Sequence, residues 1–271
     1  MTIAKVLSPA KVNLALHVIG QKSNAYHILD SLVVFANVGD ELSLAPHSGS
    51  IHLEVIGPES DNVPTGEENL VIQAAVLAGL TEGSLTLKKQ LPVASGIGGG
   101  SSNAAAVFRL AQVIPEDNGK SLGADIPVCL FGQAARMRGT GDVIDPVINL
   151  PDLFSVLVNP RRQVSTSVIF ETLTTKNNAP MSEMPSELNY QGFVDWLKLQ
   201  RNDLQSPAMK YEPMIGRILD ALAATEADVV RMSGSGATCF GLFSTKGRAQ
   251  TACRDLSAHH PEWWIEPATL S

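Results

Sequence analysis

A glycine-rich stretch followed by an alanine-rich segment is the clearest chemical signal in the sequence. Residues 96–102 read Gly-Ile-Gly-Gly-Gly-Ser-Ser, and Asn103–Gln112 has a helical composition. Glycines leave backbone N–H groups unobstructed and allow positive φ, and a helix start attracts anions through its free N–H groups and its dipole. Ser101 and Ser102 could add hydroxyl donors. The stretch predicts a phosphate-binding loop; the alternative is a flexible turn that precedes a helix.

Two common nucleotide-binding loops do not match this stretch. A P-loop needs a lysine directly before its Ser or Thr, and Gly100 stands at that position before Ser101. A dinucleotide fingerprint needs a strand–helix–strand frame with a following acidic residue. The residues that follow Gly98 do not provide that frame, so the stretch is neither of these loops.

Strand and helix patterns come in blocks along the rest of the chain. Strands are predicted at Ile3–Leu7, Val12–Ile19, Leu29–Phe35, Asp40–Ala45, Ile51–Ile56, Ser84–Lys88, Phe154–Asn159, Val229–Met232, Thr238–Phe243 and Trp263–Glu266, with a hairpin in Ala134–Val147. Helices are predicted at Glu67–Leu80, Asn103–Gln112, Ser165–Leu173, Phe193–Gln200, Pro213–Ala224 and Arg248–Ala258. Ser8-Pro9-Ala10 is predicted to separate the first two strands, and Asn37–Asp40 to form a turn. This order favours an α+β fold over a regular βαβ array, with domains at 1–150 and 151–271.

The composition limits the classes of function. The chain has 271 residues, of which 44% are hydrophobic and 17% charged, so it can fill a core. Its 20 Lys and Arg against 27 Asp and Glu give a net charge of −7, which disfavours nucleic acid and membrane surfaces as partners. No apolar run reaches the length of a membrane span, and the 3 cysteines form no Cys-x-x-Cys pair typical of a zinc site. We expect a cytoplasmic protein that binds a small molecule.

Three segments resemble, in their order, the GHMP kinase superfamily. They are Pro9–Leu16, Pro92–Ala105 and Met232–Phe240. Tyr26-His27-x-Leu29-x-Ser31, Gly123-Ala-Asp-Ile-Pro127 and Arg201-Asn-Asp-Leu204 narrow the resemblance to members that phosphorylate cytidine diphosphate-linked methylerythritol. The short connection between Leu110 and Gly123 departs from the superfamily pattern.

The resemblance implies a fold and an activity. The fold is the two-domain GHMP kinase fold, with an N-terminal α/β domain like ribosomal protein S5, a C-terminal ferredoxin-like domain and the active site in the cleft between them. The activity is transfer of the ATP γ-phosphoryl group, with Mg²⁺, to the tertiary 2-hydroxyl of the substrate, a step of the non-mevalonate route to isoprenoid precursors. We expect a monomer or weak homodimer. The alternatives are another small-molecule catalyst of the superfamily, whose substrate would leave Tyr26-His27 without a nucleobase, and a member that binds ligand without catalysis.

The resemblance also implies roles for single residues. Asp125 is expected to accept the hydroxyl proton, and Lys11 to polarise that hydroxyl, keep Asp125 ionised and offset phosphate charge. The alternatives are a helix-capping aspartate and a solvent-exposed strand lysine. Ser233–Ala237 is expected to approach the phosphates or the substrate, or to be a structural turn. ATP contacts are expected from Pro92, Val93, Ala94, Ser95, Gly96, Ile97, Gly98, Gly99, Gly100, Ser101 and Ser102. No protein ligand is assigned to Mg²⁺, because Mg²⁺ retains several waters.

Substrate contacts are expected from Asn13, Tyr26, His27, Asn103 and Phe170. Tyr26 and Phe170 would sandwich the cytosine, and His27 would hydrogen-bond its edge. Base–aromatic stacking of this kind contributes about 1–3 kcal/mol per base. The alternatives are core packing for Phe170, a structural role for His27, a strand-edge role for Asn13 and helix capping for Asn103.

Overall fold

Two units make up the part of the chain that the computed structural model describes, which is residues 4–23, 26–185 and 189–271. Within those ranges, the first unit comprises Met1–Lys11, Val38–Val93 and Gly98–Gly132, and the second comprises Val12–Asn37, Ala94–Ile97 and Gln133–Ser271. Each unit is therefore assembled from separate stretches of chain. The predicted domain boundary near residue 150 stays a prediction.

The first unit packs helices against a sheet. Its elements are β1 (Ala4–Gln21, as far as Lys11), β2 (His27–Ser50, from Val38), β3 (His52–Ile56), α1 (Leu70–Leu77), β4 (Glu82–Lys88), α2 (Gly99–Ala111) and α3 (Ile126–Phe131). β4 pairs antiparallel with β2 and parallel with β3. The core joins apolar side chains of these strands to the buried faces of the helices, among them Leu42, Leu53, Leu85, Leu87, Val71, Ala74, Val107, Phe108 and Ile126.

The second unit is built around an antiparallel sheet. Besides the remainders of β1 and β2, it contains β5 (Ala135–Gly139), β6 (Val143–Pro146), β7 (Leu153–Asn159), α4 (Thr166–Glu171), α5 (Tyr190–Lys198), α6 (Gln205–Tyr211), α7 (Met214–Ala223), β8 (Val229–Met232), β9 (Cys239–Phe243), α8 (Lys246–His259) and β10 (Trp264–Leu270). The strands run in the order β2-β10-β7-β9-β8, and β5 pairs with β2 and β6. Its core includes Val156, Val158, Ile169, Ile215, Ile218, Leu222, Phe243 and Leu256.

Most of the predicted elements are confirmed, but the helices α3 and α6 were not predicted. The strand at Val229–Met232 has the predicted bounds, and Ala134–Val147 contains the predicted hairpin of β5 and β6. Ser8-Pro9-Ala10 does not break β1, which runs without interruption from Ala4 to Gln21. The predicted first strand began at Ile3, which lies outside the described residues. Within those residues, each helix is too short or too polar to span a bilayer.

The predicted turn at Asn37–Asp40 is wrong, because β2 continues through it. A side chain on Gly39 would overlap the carbonyl oxygen of Ser8 on the paired strand β1. Glycine is therefore required at this position for the close approach of two backbones, and not for a reversal of the chain. The next residue, Asp40, is carried into the interior of the first unit, where it is fully buried.

Candidate active site

Lys11 and Asp125 are in direct contact within the first unit. Lys11 Nζ lies 2.9 Å from Asp125 Oδ2, and the side chains are 4% and 37% exposed respectively. The alternative of a solvent-exposed strand lysine is therefore wrong. Because the ammonium is buried and the carboxylate is partly open, the pair presents a charge-stabilised carboxylate to a ligand.

Asp125 stands at the start of α3, but its carboxylate does not cap that helix. Pro127 lies in the first turn and has no N–H to offer a capping side chain. The carboxylate is held by Lys11 instead, so the capping alternative is wrong. Cys129 lies nearby, and burial raises the pKa of its thiol to about 12, so the thiol adds no negative charge beside the pair.

Gly98 connects the glycine loop to this ion pair. Its φ is +63°, and a Cβ there would lie 3.0 Å from Lys11 Cβ and 3.1 Å from Lys11 Cε. Gly98 is also the residue before α2, which begins at Gly99 and not at the predicted Asn103. The first-turn N–H groups of a helix have no intrahelical acceptor. The first turn of α2 therefore starts beside the Lys11 side chain, with the N–H groups of Gly99–Ser101 free of intrahelical acceptors. Free N–H donors next to an ammonium group suit the binding of an anion.

The first half of the glycine loop is anchored in the second unit through its carbonyl groups. Ser95 O accepts a hydrogen bond from Thr238 N at 3.0 Å, and Gly96 O accepts one from Ser233 Oγ at 3.0 Å. Ile97 is fully buried. These contacts bind the loop to the turn at Ser233–Ala237. The predicted ATP contacts of residues 92–102 stay predictions.

The turn at Ser233–Ala237 lies directly against Gly96. A Cβ on Gly96, whose φ is +74°, would lie 2.6 Å from Ser233 O, and a Cβ on Gly234 would lie 2.6 Å from Gly96 O. Two backbones can approach this closely only when both positions lack side chains. The turn therefore supports the loop.

Asn202 holds the same turn, a role that the sequence analysis did not predict for it. Its Nδ2 donates to Met232 O at 2.7 Å and to Gly234 O at 2.9 Å, and its Oδ1 accepts from Leu204 N at 2.9 Å. The available signal for a role of Asn202 was its position between the charged residues Arg201 and Asp203. The signal did not show which backbone the amide would bind.

Asn13 keeps a free acceptor in a buried position. Its N–H donates to Ser233 Oγ at 3.0 Å and its Nδ2 donates to Ser31 Oγ at 2.8 Å. Its Oδ1 is buried without a hydrogen-bond partner among the described residues. Because buried polar atoms are normally paired, this oxygen is suited to accept a hydrogen bond from a ligand.

His27 and Phe170 form a ring pair in the second unit. Their centroids are 4.7 Å apart and their planes differ by 28°. Burial lowers the pKa of His27 and the charge of Lys176 lowers it further, so the imidazole is neutral at pH 7. Its Nε2 is buried and unpaired within the described ranges. Tyr26 is 62% exposed, and its predicted sandwich with Phe170 stays a prediction.

Known proteins match the chain over nearly its whole length. A sequence model described as GHMP kinases C terminal matches residues 188–262. The 4-diphosphocytidyl-2-C-methyl-D-erythritol kinases of Roseobacter denitrificans and Dinoroseobacter shibae are each 48% identical to this chain in sequence. These matches cover 99% and 97% of this chain, and 94% and 93% of the relatives. A crystal structure of 4-(cytidine 5'-diphospho)-2C-methyl-D-erythritol kinase superposes with a TM-score of 0.82 at 30% identity, covering 99% of both chains.

The chain belongs to the 4-diphosphocytidyl-2-C-methyl-D-erythritol kinase family. The predicted α+β GHMP kinase fold and the predicted class of small-molecule kinase are thereby confirmed. As a member of a kinase family, the protein uses ATP as the phosphoryl donor. The alternatives of a different superfamily catalyst and of a non-catalytic member are not favoured.

Asn103 lies in a buried polar cluster that the family resemblance did not predict. Its Nδ2 donates to Asp40 Oδ2 at 3.0 Å, and Asp40 Oδ2 also lies 2.9 Å from Lys89 Nζ. Neither Asp40 nor Lys89 was a predicted site residue, because Asp40 was expected in a strand after a turn. The Asn103 side chain therefore does not cap α2.

The described residues contain an oxygen that suits Mg²⁺ but no cluster of metal ligands. No group of three or more His, Cys, Asp or Glu side chains lies close enough to hold a metal in those ranges. Ser102 Oγ, in the first turn of α2, is fully buried and has no partner among the same residues. A hydroxyl with few neighbouring ligands is compatible with Mg²⁺, which takes few protein ligands and retains water.

Proposed function

We propose that this chain transfers the γ-phosphoryl group of ATP to the 2-hydroxyl of 4-(cytidine 5'-diphospho)-2-C-methyl-D-erythritol, giving the 2-phosphate and ADP in the non-mevalonate route to isoprenoid precursors. The observation that carries this proposal is the 2.9 Å contact between Lys11 and Asp125, with Gly98 packed against the Lys11 side chain. Curated relatives of that name that match nearly the whole chain support the choice of substrate.

The proton of the attacking hydroxyl goes to Asp125. The hydroxyl oxygen forms a bond to the γ-phosphorus, the bond from that phosphorus to the β,γ-bridging oxygen breaks, and ADP leaves. Asp125 Oδ2 is held by Lys11 while 37% of the side chain stays exposed, so the carboxylate can meet the hydroxyl. General base catalysis of this kind contributes about 10²- to 10⁴-fold in rate.

Lys11 acts on the same proton transfer through its charge. Its buried ammonium pairs with the Asp125 carboxylate at 2.9 Å and holds that carboxylate in place before the reaction. Lys11 also offsets the negative charge on the phosphate oxygens as the phosphoryl group is transferred. Gly98 leaves room for the aliphatic part of Lys11, since a Cβ at position 98 would lie 3.0 Å from Lys11 Cβ.

The phosphates of ATP bind at the start of α2. The N–H groups of Gly99, Gly100 and Ser101 donate to phosphate oxygens, and residues 92–97 complete the nucleotide contacts. Ser102 Oγ is the candidate protein ligand for Mg²⁺. When bound, Mg²⁺ would neutralise phosphate charge and orient the γ-phosphoryl group.

The cytidine part of the substrate binds at His27 and Phe170. A neutral imidazole offers one donor and one acceptor to the edge of the cytosine. Phe170 and Tyr26 supply the stacking surfaces. The free Oδ1 of Asn13 accepts a hydrogen bond from a hydroxyl of the erythritol, and Asn103 is a further substrate contact.

The remaining properties follow the same proposal. Residues 1–150 form the ATP-binding domain and residues 151–271 the C-terminal domain. The net charge of −7 favours a small-molecule partner over nucleic acid. The protein works in the cytoplasm as a monomer or weak homodimer, and sedimentation of the purified chain tests the assembly state.

A substrate panel tests the activity. Purified protein, ATP and Mg²⁺ are incubated with the cytidine-linked methylerythritol, with homoserine or with mevalonate, and the product is identified by ³¹P NMR. A new phosphate monoester with the cytidine substrate alone is expected. Equal or better turnover of homoserine or mevalonate, or ligand binding without product, would overturn the proposal.

A further inference from the structure

The carboxylate of Asp40 lies at the centre of a buried set of donors in the first unit. It is fully buried, and its Oδ1 accepts hydrogen bonds from Gln90 N at 2.7 Å and Leu91 N at 2.8 Å. Its Oδ2 accepts from Asn103 Nδ2 at 3.0 Å and pairs with Lys89 Nζ at 2.9 Å. The carboxylate therefore has donors on both oxygens.

These donors come from the two ends of one segment. Leu91 immediately precedes residues 92–102, the stretch with the glycine loop, and Asn103 immediately follows it. A single carboxylate therefore binds the chain on both sides of this segment, once through backbone N–H and once through a side chain on α2. Lys89 is part of the same arrangement, since its Nζ also donates to Leu91 O.

From this arrangement we infer that Asp40 is a positioning residue for ATP, which rests on the proposed role of residues 92–102 in binding the phosphates. Asp40 touches neither phosphate nor substrate; it sets the distance and direction between the two ends of the phosphate-binding segment. It also fixes the Asn103 amide, because the Nδ2 bound to a carboxylate leaves Oδ1 as a buried acceptor without a partner in the described ranges. Preorganised binding groups of this kind reduce the ordering that a ligand must otherwise provide.

The alternative to positioning is that Asp40 has a purely structural role and only neutralises the charge of the buried Lys89. Lys89 is 5% exposed, and a buried ammonium needs a counter-charge. A buried ion pair of this kind is weak grounds for a stability role, since apolar residues of similar volume often replace such pairs without loss. The two roles therefore separate when the charge of Lys89 is removed together with that of Asp40.

The substitution Asp40→Asn tests the inference. An amide can still accept from Gln90 and Leu91, but its Nδ2 would then face two donors, Lys89 Nζ and Asn103 Nδ2. Titration calorimetry with Mg²⁺ and a non-hydrolysable ATP analogue should show a loss of affinity of about 10- to 100-fold. The affinity for cytidine monophosphate, measured in the same protein, should stay within about twofold.

Asp30→Asn is the matched control. Asp30 is 1% exposed, pairs with Arg136 Nη2 at 2.7 Å and accepts a hydrogen bond from Met181 N at 2.9 Å, so it is an equally buried, ion-paired aspartate, but in the second unit. Its substitution should lower the melting temperature as Asp40→Asn does. It should leave the affinity for the ATP analogue within about twofold.

The double variant Asp40→Asn/Lys89→Met separates positioning from neutralisation, and it decides the question if Asp40→Asn does not fold. It should recover melting temperature but not affinity for the ATP analogue. Recovery of that affinity, an equal loss for cytidine monophosphate, or an equal loss in Asp30→Asn would overturn the inference. Absence of ATP-analogue binding by the unmodified protein would instead overturn the proposed function.

Discussion

Lys11 Nζ donates a hydrogen bond to Asp125 Oδ2 at 2.9 Å across 114 positions of sequence. The contact brings a cation from strand β1 to a carboxylate at the start of α3, and Gly98 packs against the same lysine. The proposed general base, the cation paired with it and the start of the proposed phosphate-binding helix are therefore adjacent in one unit.

Replacement of Asp125 by Asn should lower kcat by about 10²- to 10⁴-fold, the range that general base catalysis supplies. The amide keeps the shape of the side chain and can still accept from Lys11, but it cannot take the hydroxyl proton. The melting temperature should fall, because the buried ammonium of Lys11 loses its counter-charge, while the affinities for cytidine monophosphate and the ATP analogue should change little. Steady-state kinetics and calorimetry provide these values, and a near-normal kcat would contradict the role of Asp125.

Replacement of Gly96 by Ala should destabilise the protein more than replacement of Gly79 by Ala. Both glycines have a φ of +74°, so both variants pay the left-handed strain of about 1–2 kcal/mol. A Cβ on Gly79 meets nothing within 4 Å, whereas one on Gly96 would lie 2.6 Å from Ser233 O. Overpacking at Gly96 should add about 1–3 kcal/mol.

Urea unfolding measures the unfolding free energy of both glycine variants. Because the backbone strain is the same in both, the difference between them reports the contact of position 96 with Ser233 O. Gly96→Ala should also weaken binding of the ATP analogue, and Gly79→Ala should not. Equal losses of unfolding free energy in the two variants would show that the approach of Gly96 to the turn is unimportant.

Replacement of Phe170 by Leu should weaken cytidine binding. Loss of one base–aromatic stack corresponds to about 1–3 kcal/mol. Calorimetry with cytidine monophosphate measures the loss, while the affinity for the ATP analogue should be unchanged. Phe154→Leu is a suitable control, because both phenylalanines are partly buried against the same core cluster. If the two variants bind cytidine monophosphate equally well, Phe170 is a core residue only.

Acid should reduce stability through His17. Arg201 N donates to His17 Nε2 at 3.1 Å, so the proton of the neutral ring is on Nδ1, which donates to Ala179 O at 3.1 Å. Burial, followed by the charge of Arg201, lowers the pKa of His17. The unfolded chain, with a histidine pKa of about 6.5, therefore binds more protons than the folded protein below that pH. The contribution of His17 is complete above about pH 6.5 and declines as pH falls towards its lowered pKa.

Urea unfolding between pH 7.5 and 5 measures this dependence. The His17→Gln variant keeps an acceptor for Arg201 N but cannot be protonated, so its unfolding free energy should depend less on pH over that interval. Since His27 is present in both proteins, the difference between them reports His17. Parallel pH profiles would show that His17 does not contribute.

Much of the fold could be predicted from local pattern. Short apolar runs such as Val229–Met232 and the hairpin at β5 and β6 follow from alternation and glycine placement. The long strands could not, because Gly39 reads as a turn residue unless the backbone of Ser8 is known to lie against it. A glycine required by a distant neighbour carries no local signature that distinguishes it from one in a turn.

The predicted site divides in the same way. The glycine loop and the helix that follows were apparent from residue types within one stretch, and the same residues predicted that the loop binds an anion. The role of Asn202 was not, because its amide binds the carbonyls of Met232 and Gly234, which are distant in sequence. Likewise, His27 and Phe170 were both predicted for the cytosine, but their mutual stacking was not.

The sequence by itself determined the family and the class of reaction, and it predicted a phosphate-binding loop, because these depend on ordered motifs of adjacent residues. Only the tertiary structure decided that Lys11 is buried against Asp125 and that Asp40 binds both ends of the segment around the loop. The physical reason is that charge pairing and backbone approach depend on distance in space. That distance is set by long-range packing, and residue type and spacing along the chain do not specify it.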